Sequence, residues 1–101
     1  MFTPKHTPQP FTLKLLNLGI IEFSETIPNH YDDGRGTIEC YEIPNNHIMM
    51  YPEPDVCMVP VYRFMEVYTI DDEFEKFKVL DSLSDTDIDT NELEVYTRTK
   101  I

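Results

Sequence analysis

The sequence predicts an α+β fold: a mostly antiparallel sheet of about 5–6 strands with one amphipathic helix packed on it. The chain has 101 residues, of which 41% are hydrophobic and 12% aromatic, and this composition favours one packed core over disorder. Several short segments alternate apolar and polar residues, as half-buried strands do. The segments between them are short, and short connections require antiparallel pairing because parallel strands need a long crossover.

The N-terminal residues 1–10 contain three prolines and are predicted to form an extended tail, before a single α+β domain at 11–101. Residues 11–16 alternate in the manner of a strand, and residues 20–27 do the same. A turn at Asn17-Leu18-Gly19 would join the two as a hairpin. The alternative is one long bent strand over 11–23 with a bulge at Gly19.

Two further strands are predicted in the middle of the chain. Residues 28–36 form a loop with a turn signal at Asp33-Gly34. Residues 37–43 are rich in β-branched and aromatic side chains, and Pro44-Asn45-Asn46 turns them into a second strand at 47–51. The sequence therefore predicts a hairpin over 37–51.

A stiff crossover and a central strand are expected next. Residues 52–60 carry three prolines, which exclude a central strand or a helix interior, so they are predicted to be a partly polyproline-like crossover. Residues 61–70 have large apolar side chains on both faces. This pattern is typical of a central strand that is covered by a helix on one side.

The helix is predicted at 71–83. Thr69 would cap its N-terminus, and the acids of the first turn suit the positive end of the helix dipole. One apolar stripe at spacings of three and four consists of Ile70, Phe74, Phe77, Leu80 and Leu83. Residues 84–91 are then an acidic connector, and 93–101 alternate as the last strand.

The charge restricts the possible partners. A formal net charge of −11 and a pI near 4.4 argue against direct binding to nucleic acid or to an anionic membrane, since both would repel the chain. A basic protein partner is favoured, or the acidity serves solubility alone. No apolar run reaches the ~18–20 residues of a membrane span, and residues 1–10 are too polar for a signal peptide. The prediction is a cytoplasmic protein in which Cys40 and Cys57 stay unpaired.

Catalytic and metal motifs are weak. The run Asp85-Thr86-Asp87-Ile88-Asp89 resembles the start of a calcium loop, but Thr90 stands where glycine is needed and Tyr96 where glutamate is needed. The three histidines lack metal-ligand spacing, Cys57 has no local base, and three glycines make no phosphate loop. The sequence therefore predicts no enzyme activity, no metal and no cofactor.

The candidate partner-binding residues are acids and two adaptable side chains. Carboxylates on one face of a strand recur every ~6.6–6.8 Å and can imitate a row of DNA phosphates. Met and Tyr are common interface residues. The predicted surface consists of Asp72, Glu73, Glu75, Asp85, Asp87, Asp89, Glu92, Glu94, Met49 and Tyr51.

These features predict a small acidic, non-enzymatic inhibitor that occupies the basic surface of a nucleic-acid-handling protein. Phage and mobile-element proteins that block restriction, CRISPR effectors, nucleases or polymerases have this size and charge, which is an analogy of class and not a sequence match. The prediction includes DNA mimicry by the acidic surface. One alternative is an immunity-type or antitoxin-type protein that neutralises a cationic toxin. Another is a structural or assembly component that uses the Met and Tyr surface.

Overall fold

The computed structural model of the protein describes residues 3–31, 35–53, 56–81 and 84–97, and within them it has one α-helix and two antiparallel sheets. The predicted α+β class with a mostly antiparallel sheet is therefore confirmed. The elements are α1 (Pro10–Asn17), β1 (Glu22–Pro28), β2 (Thr37–Glu42), β3 (His47–Glu53), β4 (Val56–Pro60), β5 (Arg63–Tyr68), β6 (Phe74–Leu80), β7 (Asp85–Ile88), a 3₁₀ turn (Thr90–Glu92) and β8 (Glu94–Thr97).

The larger sheet has five strands in the order β1-β2-β5-β6-β7, and the smaller has three in the order β4-β3-β8. The chain leaves the larger sheet after β2, forms a β3–β4 hairpin in the smaller one, and returns for a β5-β6-β7 meander. β5 pairs with β2 on one side and β6 on the other, so the predicted central strand is confirmed.

The helix lies where a strand was predicted, so both the hairpin over 11–27 and its bent-strand alternative are wrong. Pro10 opens α1 at a position where a helix needs no N–H donor. Gly19, with φ of 73°, ends it, because the Ile20 N–H donates to the Leu15 carbonyl and the Gly19 N–H to the Leu16 carbonyl. This is a Schellman motif. Pro10 and Gly19 are the residues that signal the two ends of a helix here, whereas the alternation of residues 11–16 indicated a strand.

The predicted helix at 71–83 is also wrong, because residues Phe74–Leu80 form β6. The side chains of residues 74–80 fit the two-residue period of a strand as well as the period of a helix. Phe77 and Val79 lie on one face of the sheet, and Lys78 on the other. Pairing with both β5 and β7 provides backbone hydrogen bonds on both sides of the segment. Thr69 does act as a cap, but of a tight turn, where its hydroxyl accepts from the Glu73 N–H.

Two other predicted elements need correction. The 37–51 hairpin does not form: β2 pairs with β1 and β5, while β3 pairs with β4 and β8 in the other sheet. The predicted turn is present, since the His47 N–H donates to the Pro44 carbonyl, but it moves the chain between sheets. The 52–60 crossover is instead the end of β3 and the edge strand β4, a position that tolerates proline. The 84–91 connector contains β7.

The two faces of the larger sheet differ. The front face, which carries Tyr41, Phe64 and Val79, packs against α1 and the smaller sheet in the main core. The back face, which carries Cys40 and Met65, holds a smaller apolar cluster against which Tyr31 packs. At one end of the sheet, residues 70–73 of the β5–β6 turn are exposed.

Candidate functional site

Acidic residues gather at the end of the larger sheet where β5 turns into β6. The turn is tight: the Thr69 N–H donates to the Glu73 carbonyl, and the Asp72 N–H to the Thr69 carbonyl. Asp72 has a φ of 63°, a conformation that Asp tolerates better than most residues. Asp71, Asp72, Glu73 and Glu75 are all exposed here.

The register of the next hairpin adds another carboxylate to this end. Phe77 pairs with Ile88, so the antiparallel continuation of β7 carries Asp89 toward the start of β6. We call Asp71, Asp72, Glu73, Glu75 and Asp89 the acidic end. It holds five of the eleven exposed acids among the described residues, and Glu92 follows directly in the 3₁₀ turn.

Asp85 and Asp87 lie on the back face of β7, with the strand alternation that the sequence predicted. They do not form an uncompensated row of charge. Lys78 Nζ lies 2.5 Å from Asp87 Oδ1 and 3.7 Å from Asp85 Oδ1, and it sits 4.4 Å from the centre of the Tyr31 ring. The Tyr31 hydroxyl donates to Asp85 Oδ2 at 2.6 Å. These two acids are therefore engaged within the protein.

The Asp87–Lys78 contact makes stability depend on pH. The hydrogen bond from Lys78 lowers the pKa of Asp87, so the folded state favours the carboxylate. The resulting stabilisation is present above the ordinary Asp pKa of about 3.9 and is lost as pH falls through the lower folded value. We expect Asp87→Asn to lower the urea midpoint modestly at pH 7, and this effect to shrink as the pH falls below the ordinary Asp pKa. Glu92→Gln, in the adjacent turn, should leave the midpoint unchanged over the same pH range; an equal effect would contradict the assignment.

Three of the predicted site residues belong to the smaller sheet. Glu94 is exposed in β8 opposite Met50 of β3. Met49 and Tyr51 are buried in the main core, 0% and 2% exposed, so they are left out of the surface proposed below. The Tyr51 hydroxyl donates to Asp81 at 2.5 Å, and burial together with this bond raises the pKa of Tyr51 to about 12. Tyr51 is thus a structural hydroxyl.

Sequence reasoning missed a pair of buried carboxylates on the front face. Glu39 of β2 and Glu66 of β5 are direct cross-strand partners, and both are 0% exposed. A signal was available, since each is a charged residue in the middle of an apolar strand, where burial requires partners. Those partners come from far along the chain. The backbone N–H of His6 donates to Glu39 Oε2 at 2.9 Å, and that of Gln9 to Glu66 Oε2 at 2.8 Å.

Hydroxyl groups complete the surroundings of this pair. Thr26 donates a short hydrogen bond to Glu39 Oε1, and Tyr68 donates to Glu66 Oε1 at 2.9 Å. Burial and the charges of Glu66 and Glu39 raise the pKa of the Tyr41 phenol. The Tyr41 hydroxyl has no hydrogen-bond partner among the described residues. The pair is therefore enclosed by donors, and protein atoms already hold its carboxylate oxygens.

Among the described residues, no group of three or more His, Cys, Asp or Glu side chains has the arrangement of a metal site. No helix in the same residues has the length and apolar character that crossing a bilayer requires. Comparison with protein-family models, with curated proteins and with solved structures finds no match to this chain.

Proposed function

We propose that the chain is a small acidic binding protein of the cytoplasm that inhibits a nucleic-acid-handling protein by occupying its basic surface. The observation that carries the proposal is the acidic end, where exposed carboxylates from a tight turn and a neighbouring strand stand together. A partner with a groove for phosphates has the opposite charge, and it would be attracted and oriented by this field.

The geometry supports the acidic end, rather than Asp85 and Asp87 of β7, as the contact surface. Lys78 compensates Asp85 and Asp87, whereas Glu73 and Glu75 project from a turn and the strand start beyond it. The turn is held by backbone hydrogen bonds across Thr69. Because the backbone of the turn is already ordered, less backbone entropy is lost when its carboxylates contact a partner's lysines and arginines.

Neutralising the acidic end is expected to weaken the complex selectively. We expect Glu73→Gln with Glu75→Gln to reduce affinity for the partner about tenfold at low salt, since each rim charge contributes modestly. The matched control is Glu22→Gln with Glu42→Gln, a cross-strand pair of exposed acids at the opposite end of the sheet. Both variants change the net charge by the same amount. A larger loss of affinity in the acidic-end variant is therefore an effect of the site and not of the net charge. Calorimetry at two salt concentrations measures the affinity of each variant for the partner.

The partner is found with tagged wild-type protein, captured from host lysate at low salt and eluted with salt or with duplex DNA. The proposal expects a nucleic-acid-binding protein that DNA releases, that the control variant retains and that the acidic-end variant loses. A partner that stays bound at high salt while holding its nucleic acid would contradict it. Rescue from one cationic toxin alone would instead establish the immunity-type function.

A further inference from the structure

The N-terminal strap, residues 3–9, lies across the front face and reaches the acidic end. The His6 ring stacks on Tyr68 with 3.8 Å between centroids and 4° between planes. His6 Nε2 is 3.0 Å from Asp72 Oδ1, and Lys5 Nζ is 3.7 Å from the same oxygen. A positively charged segment of the chain itself therefore contacts the surface assigned above to a basic partner.

The strap is attached by polar contacts rather than by a strand ladder. Pro4 and Pro8 lack N–H groups, which prevents regular pairing with the sheet. Its backbone N–H groups instead bind the side chains of Glu39 and Glu66. None of the described strap residues belongs to either apolar cluster. The front face over β2 and β5 thus holds an extended segment through carboxylates that accept hydrogen bonds from its backbone N–H groups.

The contacts between the strap and this face leave several buried polar atoms without a hydrogen bond. His6 Nδ1 is buried, lies 3.8 Å from Glu39 Oε2 and makes no hydrogen bond among the described residues. The Thr37 and Tyr41 hydroxyls, which flank Glu39 on the same face of β2, are buried without partners in the same way. Buried polar groups without partners cost free energy, so a segment that satisfied the Thr37 and Tyr41 hydroxyls would bind this face better than the strap does.

We propose that the part of the front face that carries Glu39, Glu66 and Tyr68, together with Asp72, is a binding site for an extended basic peptide, which the strap occupies within the same chain. The partner's segment displaces the strap: a cationic side chain replaces Lys5 and His6 at Asp72, and backbone N–H groups replace those of His6 and Gln9. This inference rests on the proposed function, because it assumes that a basic partner meets the acidic end.

The test uses the full chain and an oligolysine peptide as the probe. Saturating probe should accelerate hydrogen exchange of the His6 and Gln9 amides about tenfold or more, while the β2–β5 ladder stays protected, as followed by NMR. Lys5→Ala with His6→Ala loosens the strap and should tighten probe binding by about two- to tenfold. Lys14→Ala, an exposed α1 position with the same loss of lysine charge, should not.

The outcomes distinguish the two proposals. Probe binding with release of the two amides supports both. Probe binding that leaves the His6 and Gln9 amides protected, with equal affinities for the strap variant and the Lys14 control, overturns the displacement of the strap and leaves the acidic end as the contact surface. Failure of the probe to bind either wild type or the strap variant overturns the basic-partner function, and the strap proposal with it.

Discussion

Replacing Gly36 with alanine is expected to lower the free energy of unfolding by about 3 kcal/mol or more. Gly36 has a φ of 87°, and a Cβ built there would overlap the Tyr68 carbonyl oxygen and lie 2.6 Å from the Thr69 carbonyl carbon. Both atoms belong to the backbone at the start of the β5–β6 turn, so the side chain has no flexible neighbour to move. The acidic end would have to shift with them.

Gly19→Ala is the matched control. Gly19 has a similar φ of 73°, but a Cβ there would meet no atom within 4 Å. Its cost is the backbone conformation alone, about 1–2 kcal/mol. Thermal unfolding of both variants measures the difference, and for a domain of this size 1 kcal/mol corresponds to about 4–8 °C in Tm. Equal losses of Tm would show that the close approach at Gly36 does not constrain the fold.

Phe64→Ala is expected to cost about 3–5 kcal/mol, the range for an aromatic side chain removed from a core. Phe64 is 0% exposed on the central strand β5. Its ring lies 5.3 Å from that of Phe77 and 6.1 Å from that of Phe11, measured between centroids. The substitution therefore removes the contact through which α1 and β6 pack on the same strand.

Tyr62→Ala is the control, because Tyr62 is an aromatic residue only two positions away and is 57% exposed. We expect a change within about 0.5 kcal/mol, as for most surface substitutions. Urea unfolding of the two variants compares their free energies directly. A loss at Tyr62 as large as that at Phe64 would mean that the front face is not the main core.

Sequence patterns predicted β5 because its evidence is local and unambiguous. Large side chains on both faces of residues 61–70 leave only the centre of a sheet as a stable place. In two other segments, the apolar residues fit both the period of a helix and the period of a strand. In residues 10–17 the apolar side chains fit a strand or a helix, and in residues 74–80 the same ambiguity was resolved toward the helix that does not form.

Some residues of the candidate site were predicted from the sequence, and others were missed. Glu73 and Glu75 were predicted as exposed acids although their segment was taken for a helix, and both are exposed in the structure. Their proximity to Asp89 follows from the β6–β7 register, which depends on the strand that was read as a helix. Glu39 and Glu66 were missed because their donors, His6 and Gln9, lie 33 and 57 positions away in the sequence.

The sequence by itself determined the acidity and the central strand, since composition and local periodicity express these directly. It also predicted the α+β class, although it assigned the helix to the wrong segment. The tertiary structure decided which ambiguous segment became the helix, which acids were compensated by Lys78, and that the N-terminal strap binds the buried carboxylate pair. The physical reason is that backbone pairing and ion pairing are satisfied between distant residues. A local pattern shows that a group needs a partner, and only the folded chain supplies it.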